Sequence, residues 1–465
     1  PSTKEALETI PLLTREDIKK EAAPYINEVR KAEDTTILFH DIFTNGIGYL
    51  NLVFDLKQVP QRLLPYVGIL KAVLMMVDTE HFSYSELFNE INIHTGGIRT
   101  VVNTYTNAEH MKEFKMTLEI RSKALYEKRD KALELMKEII LTSRFDDAKR
   151  LAEIIAEAKS RMQATMSSAG HSLALVRTLS YFSPTAAASE QISGIPQYRL
   201  LEELDQNFED RKEELIKNLK ELSMYIFRPE NLLVDYTATE EGYAGLEEAV
   251  AGFKKELFHG EINSQGLCIK LEKKNEAFMT AGQVQYVCRA GNFTDKGLPY
   301  TGALKVLKVM MGYDYLWNHV RVKGGAYGCM CNFYKNGDAY FVSYRDPNLS
   351  KTIDVYEKAA KYIKNAELDE RTITQFIIGA ISELDTPMTP ATRGIYSLGG
   401  YLTGLSVERV QKERDELLAT TSDDLRGLAE YVQAFMEADC LCVVGNGEKI
   451  KENKELFMNV EQLFH

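Results

Sequence analysis

The stretch RVKGGAYGCMCNFYKNGDAYFVSYRDPN, residues 321–348, decides how the rest of the chain is read. It sets an arginine, a Gly-Gly pair and a tyrosine within RVKGGAY, followed by two alternating runs around KNGD. A period of two marks half-buried strands. Asn336-Gly337 predicts a type I′ hairpin turn, because both residue types tolerate positive φ. Pro347 in RDPNL ends pairing, and a helix is expected from near Ser350. Arg321 and Tyr327 therefore stand at the mouth of a hairpin, on either side of Gly324 and Gly325.

Working outward, the same pattern occurs upstream. YVGILKAVLMM (66–76) matches YTGALKVLKVMM (300–311) with a one-residue gap. INIHTGGIRTVVNTY (91–105) matches VRVKGGAYGCMCNFY (320–334), each with a Gly-Gly leading into an alternating strand. FDDAKRLAEIIAEAKSRM (145–162) matches ELDERTITQFIIGAISEL (367–384), and NLLVDYTATEEGYAGLEEAV (231–250) resembles CLCVVGNGEKIKENKELFMN (440–459). Blocks that recur in one order mark a tandem repeat. Each unit reads as strand, helix, Gly-Gly, hairpin, helices, strand, helix.

The expected fold class is α+β: two homologous domains, each an antiparallel-rich sheet with helices packed on one face. YLNLVFDL (49–56) and QVQYVCRA (283–290) are read as the strands that open the two sheets. The division is a leader or linker helix over 1–34, a first repeat over 35–260 and a second over 261–465. Thr14 is the expected N-cap of the leader, with Asp17 completing an imperfect capping box. The first repeat carries a helical insertion near 194–228, whose apolar residues recur at helical spacing. That insertion reads as a helix packed on its own domain, with a coiled arm as the alternative.

The 465 residues are too many for one ordinary core, and 45% hydrophobic content is that of a globular chain. The net charge of −12 argues against a nucleic-acid partner. No stretch is long and apolar enough to span a bilayer. The polar start PSTKEALETIP carries no signal-peptide pattern and fits a fragment or linker as well as a natural terminus. Six cysteines include two C-x-C pairs, Cys329/Cys331 and Cys440/Cys442. C-x-x-C spacing with histidine partners is the usual zinc pattern, so these read as buried, reduced thiols. A bacterial cytoplasmic location follows, with an organelle as the alternative.

The chemistry of a self-contained enzyme is missing. HMKEF (110–114) sets His110 and Glu113 at H-x-x-E spacing, but an inverted zinc-peptidase motif needs histidine where Phe114 stands. The following FKMTLEI alternates like a strand, so the helix such a motif needs is also in question. No Walker loop or G-x-S-x-G elbow occurs. The expectation is no metal site in this chain.

The combination R-x-K-G-G-A-Y-G, a hairpin and then S-Y-R-D-P-N, inside repeated α/β units, resembles the C-terminal half of the pitrilysin/insulinase superfamily, in its presequence-protease branch. The resemblance spans essentially the whole chain. It implies the metal-free half of a clamshell zinc metallopeptidase that degrades peptides. The Zn2+ of the complete enzyme, and its general base, would belong to an N-terminal partner half, in the same or a separate polypeptide. Arg321 and Tyr327 would reach the scissile region, positioning substrate and stabilising the transition state. Gly324 and Gly325 would let substrate backbone approach closely, and Arg345 is a further substrate contact. Hydrolysis by this chain alone is not expected. A structural alternative has Arg321 facing a helix C-terminal dipole and Tyr327 packing on the sheet. Two functional alternatives are an inactive subunit that pairs with a separate zinc-bearing chain, and a peptide-binding module.

Overall fold

Two six-stranded sheets organise the chain in a computed structural model, which describes residues 13–465. The first sheet is built from β1 (Glu28–Ala32), β2 (Thr35–Asp41), β3 (Ile47–Asp55), β4 (Ile98–Thr106), β5 (Phe114–Leu125) and β6 (Leu232–Ala238). Their order across it is β1-β2-β6-β3-β5-β4. The second is built from β7 (Glu276–Thr280), β8 (Gln285–Asn292), β9 (Gly328–Phe333), β10 (Asp338–Tyr344), β11 (Cys440–Asn446) and β12 (Asn459–Gln462), in the order β12-β7-β11-β8-β10-β9. Both sheets are mixed. β2 runs parallel to β6, and β7 runs parallel to β11 and β12, while the remaining pairs are antiparallel.

The repeat is visible strand by strand: β2, β6, β3, β5 and β4 take the places of β7, β11, β8, β10 and β9. The remaining edge is filled from opposite ends of the repeat, by antiparallel β1 in one sheet and parallel β12 in the other. The runs at 49–56 and 283–290 do not open their sheets, since β1 and β2 precede β3, and β7 precedes β8. β1 and β7 have five residues each, too few to display a period in sequence.

Alternate residues of each strand meet a layer of helices. Leu52, Phe54, Ile120 and Val234 pack with residues of helices Leu64–Val73, Arg129–Thr142 and Phe208–Ile226 in one core. Val287, Phe341 and Val443 do the same with helices Ala303–Met310, Glu370–Leu384 and Ala429–Glu437 in the other. The 194–228 segment forms two helices, Ile195–Gln206 and Phe208–Ile226, whose Leu201, Leu204, Leu215 and Leu219 enter the first core. The opposite face of the first sheet is also occupied. Leu38 and Val53 pack there against Leu398 of helix Pro390–Thr403. Ser397 pins that helix, accepting from Ile26 N–H at 2.9 Å while its carbonyl accepts from Asn27 Nδ2 at 2.9 Å.

The compact units follow these contacts. One comprises residues 24–273 with 388–405 and 464–465; the other comprises 274–387 and 406–463 with residues 13–23 of the leader. Part of the expected leader helix, residues 1–12, lies outside the described residues. The remainder forms only one 3-10 turn, Arg15–Asp17, and then reaches β1 through irregular backbone. There Asp17 accepts from Thr14 N–H at 2.9 Å. Among the described residues no helix is long and apolar enough to cross a membrane.

The turn at Asn336-Gly337 is not type I′. Only Gly337 has positive φ, at +94°. Gly337 N–H donates to the Tyr334 carbonyl at 2.9 Å and Tyr334 N–H to the Asp338 carbonyl at 2.8 Å, which closes a longer loop with glycine in the left-handed position. Asn336 uses its side chain instead, accepting from Asp338 N–H at 2.9 Å. None of the six cysteines is bridged by a disulfide: Cys268 is exposed, Cys329 half-buried and the others buried. Burial pushes the Cys331 thiol up to about 12, so it behaves as a small hydrophobe.

Candidate functional site

The segment before Gly324 starts as an α-helix, Ala303–Met310, and then widens into two π segments, Met311–Tyr315 and Trp317–Val322. π turns are rare and concentrate at functional positions. Arg321 lies on the second, with its guanidinium carbon 4.0 Å from the ring centroid of Trp317, the only tryptophan in the chain. This cation–π contact directs the guanidinium back along the helix and away from its C-terminal carbonyls.

The two glycines close the helix. Gly325 N–H donates to the Arg321 carbonyl at 2.8 Å, and Ala326 N–H to the Val320 carbonyl at 3.2 Å. Each span is one residue longer than in the Schellman ending of an α-helix, as a π segment requires. Gly325 sits at φ +86°, and a Cβ on Gly324 would lie 2.5 Å from the Val320 oxygen. Both positions therefore exclude a side chain for reasons of local backbone.

Tyr327 follows at the edge of the hairpin. Its N–H donates to the Tyr344 carbonyl at 3.0 Å, so its backbone is fixed, yet the side chain is 66% exposed. Arg345, at φ +46°, puts its guanidinium 5.7 Å from the Tyr327 ring centroid and 5.5 Å from that of Tyr344. Burial raises the nearby Tyr286 phenol, against the effect of a hydrogen bond from Arg345.

The loop after Arg345 is clamped from below. Asp346 and Gln285 exchange backbone hydrogen bonds of 2.7 and 2.8 Å. The buried Asp346 carboxylate accepts from Asn348 N–H at 2.9 Å and Thr352 Oγ1 at 2.6 Å. Asn348 Nδ2 donates in turn to the Gly324 carbonyl at 2.6 Å, tying this loop to the Gly-Gly closure. SYRDPN thus holds GGAY in place. Sequence reading missed Trp317 and the exposed Tyr313 and Val322 beside it. The available signal was a lone tryptophan four residues before the candidate arginine.

The residues present do not fit a catalytic zinc. HMKEF forms the tip of the β4–β5 hairpin, where Glu113 N–H donates to the His110 carbonyl at 2.8 Å and Phe114 begins β5. No group of three or more His, Cys, Asp or Glu side chains is placed to hold a metal among the described residues.

Paired sheet units of this kind define the fold of M16 peptidase halves. A peptidase M16 inactive domain from Pseudomonas fluorescens superposes with a TM-score of 0.62 at 15% identity, covering 90% of this chain and 98% of that one. The periplasmic protease PqqL from Escherichia coli gives 0.58 at 10% identity, over 92% of this chain and 46% of that protein. In sequence, the family associated with subfamily C of the M16 peptidases matches residues 1–204, and the PreP C-terminal domain matches residues 275–445. Protein HypA of Clostridium perfringens is 40% identical over 100% of this chain, which spans 47% of that protein. Presequence protease 1 (chloroplastic/mitochondrial) of Arabidopsis thaliana is 30% identical over 97% of this chain and 42% of its own length. The chain thus spans about half the length of the curated relatives it matches, or less. It belongs to the pitrilysin-type M16 peptidase family, in the presequence-protease branch, and corresponds to a C-terminal half.

Proposed function

We propose that this chain is the substrate-enclosing half of a two-half zinc peptidase that degrades peptides, and that Tyr327 and Arg321 serve the reaction from this side. The metal and general base belong, on this reading, to the N-terminal half. The observation that carries it is Tyr327: a phenol left in solvent on a backbone fixed by the neighbouring strand and the Asp346–Asn348 clamp. A tyrosine kept for packing would be buried. When a nucleophile adds to a peptide carbonyl, the oxygen gains negative charge, and a fixed phenol O–H can donate to it as that charge develops. Arg321 offers a planar fork of donors to substrate carbonyls, with Trp317 restricting its rotamers. Arg345 supports the Tyr327 ring and is a weaker substrate contact. Gly324 and Gly325 shape the approach by closing the helix end.

Six unbridged cysteines fit a reducing compartment such as the bacterial cytoplasm, which is the location this reading takes. The test is Tyr327→Phe in the two-half protein, which retains the ring and removes the donor. We expect kcat on a short fluorogenic peptide to fall about 10²–10³-fold, with KM and unfolding midpoint little changed. Wild-type kcat in a folded variant would overturn the assignment.

A further inference from the structure

The first unit carries a cavity, lined by both apolar and charged residues, that the peptidase reading leaves unused. Its volume is about 410 Å³, and it lies between the first sheet and helix Pro390–Thr403. A row of facing residues floors it: Asp235 on β6 pairs with Asn51 on β3, Asn51 with Arg121 on β5, and Arg121 with Arg99 on β4. Lys123 lies two residues along β5, and its stem crosses Gly96, where a Cβ would sit 2.6 Å from Lys123 Cε. Ile395 of the helix supplies an apolar wall.

Two features of this cavity call for a ligand of definite polarity. Asn51 is 4% exposed, and its Nδ2 donates to Glu119 Oε1 at 2.8 Å, which fixes the orientation of the amide. Its Oδ1 is then a buried acceptor without a partner, on a residue that lines the cavity. Such an acceptor is rare and unfavourable, and it requires a donor. The second feature is charge. Arg121 is neutralised by Glu119 at 2.7 Å, whereas Arg99 and Lys123 are exposed and have no acidic partner among the described residues. The two cations stand one and two strands from Asn51, within roughly 10 Å of its backbone, a gap that long side chains largely span.

We propose that this cavity binds an α-carboxylate with an adjacent N–H group, the chemistry of a peptide C-terminus or a free amino acid. The carboxylate lies against Arg99 and Lys123, and the N–H donates to Asn51 Oδ1. Inorganic phosphate satisfies the cations but is mainly an acceptor, so it matches the asparagine poorly. The site involves neither Arg321 nor Tyr327, and binding needs no hydrolysis. Its failure is therefore separable from failure of the peptidase reading.

The experiment is calorimetric titration of the chain with acetyl-trialanine free acid, the same peptide as its C-terminal amide, free alanine and inorganic phosphate. The free acid is expected to bind one per chain, at least about tenfold more tightly than the amide or phosphate. Arg99→Ala with Lys123→Ala, both at exposed positions, is expected to weaken the acid by about tenfold or more at an unchanged unfolding midpoint. Ala391→Trp, which fills the cavity from the helix side, is expected to abolish binding. Alanine binding as tightly as the peptide acid assigns the site to free amino acids, and weaker binding assigns it to peptide ends. Equal affinity for acid and amide, wild-type affinity in the double variant, or no binding up to about 10 mM ligand overturns the proposal.

Discussion

The Gly-Gly corners of the two repeats occupy one place in the topology and present opposite chemistry. At the first, an ordinary α-helix, Tyr84–His94, leads through Gly96-Gly97 to Arg99, which faces Arg121 across the strands. At the second, a π segment leads through Gly324-Gly325 to Tyr327, which bonds to the Tyr344 carbonyl beside Arg345. Behind the corners the sheets differ as well. The face away from the helix layer carries Asn51, Glu119, Arg121 and Asp235 in the first sheet, and Cys288, Val342, Cys442 and Val444 in the second. Topology therefore fixes where the corner stands, while the sheet face decides whether charge or aromatic surface gathers there.

The largest effect that could break this comparison lies in the first sheet. The Glu119 carboxylate accepts from Asn51, Asn103, Tyr105, Thr117 and Arg121 at 2.7–3.0 Å. Burial opposes its ionisation, yet these donors hold its pKa below the usual carboxylate range. Glu119→Gln removes the charge and leaves the Arg121 guanidinium, mostly buried, without a counter-ion. Urea unfolding should show a loss of about 3–5 kcal/mol. A loss below about 1 kcal/mol would mean that the polar face does not organise the first sheet.

Next in size is Arg321→Ala in the two-half protein, for which we expect kcat/KM to drop about 10²-fold with both parameters affected. Arg321→Lys should recover only part of this, since an ammonium keeps the charge but not the fork. Full recovery by lysine would reduce the role of Arg321 to a point charge.

Much of this contrast was legible in the sequence, because the repeat is carried by local signals. Alternation in β3, β5, β8 and β10, together with the two Gly-Gly pairs, places the corners. What escaped depends on distant contacts. Helix Pro390–Thr403 belongs to the second repeat by sequence, but its Leu398 and Ser397 pack on the first sheet. The π widening leaves no mark in a pattern of apolar residues, and with it went the Trp317–Arg321 stack. Asn336-Gly337 looked like a type I′ turn because both residues permit positive φ. The Asn336 side chain instead bonds to Asp338 N–H and keeps Asn336 out of that region.

A smaller effect sharpens the aromatic half of the comparison. Trp317→Ala frees Arg321 without removing it. A cation–π contact at an exposed site contributes about 0.5–1 kcal/mol, so KM should rise roughly two- to fivefold with kcat nearly constant. A kcat loss as large as that of Arg321→Ala would instead make Trp317 part of the reacting surface.

The smallest expected effect gives the finest distinction, since two buried carboxylates, Glu119 in the first sheet and Asp346 at the edge of the second, are shifted in opposite directions. Burial raises the pKa of Asp346, and its hydrogen bonds from Thr352 and Asn348 offset this only in part. For Glu119 the folded value is depressed, so its contribution is present above the unfolded value and is lost as pH falls through the folded one. For Asp346 the folded value is raised, so its contribution is fully present below about 3.8 and is lost as pH rises through the folded one. Asp346→Asn removes the penalised charge. Its oxygen can still accept from Asn348 N–H, and its amide can donate to the Thr352 hydroxyl. We expect Asp346→Asn to change stability at pH 7 by no more than about 0.5 kcal/mol, or to raise it. The advantage over wild type should shrink on acidification, as the wild-type carboxyl takes up its proton, whereas the deficit of Glu119→Gln should shrink for the opposite reason, as the wild-type carboxylate loses its charge. Urea midpoints for the three proteins between pH 7 and pH 4 separate these outcomes. A loss in Asp346→Asn as large as that in Glu119→Gln would show that the clamp beneath Tyr327 depends on charge, and the contrast between the two sheets would then fail.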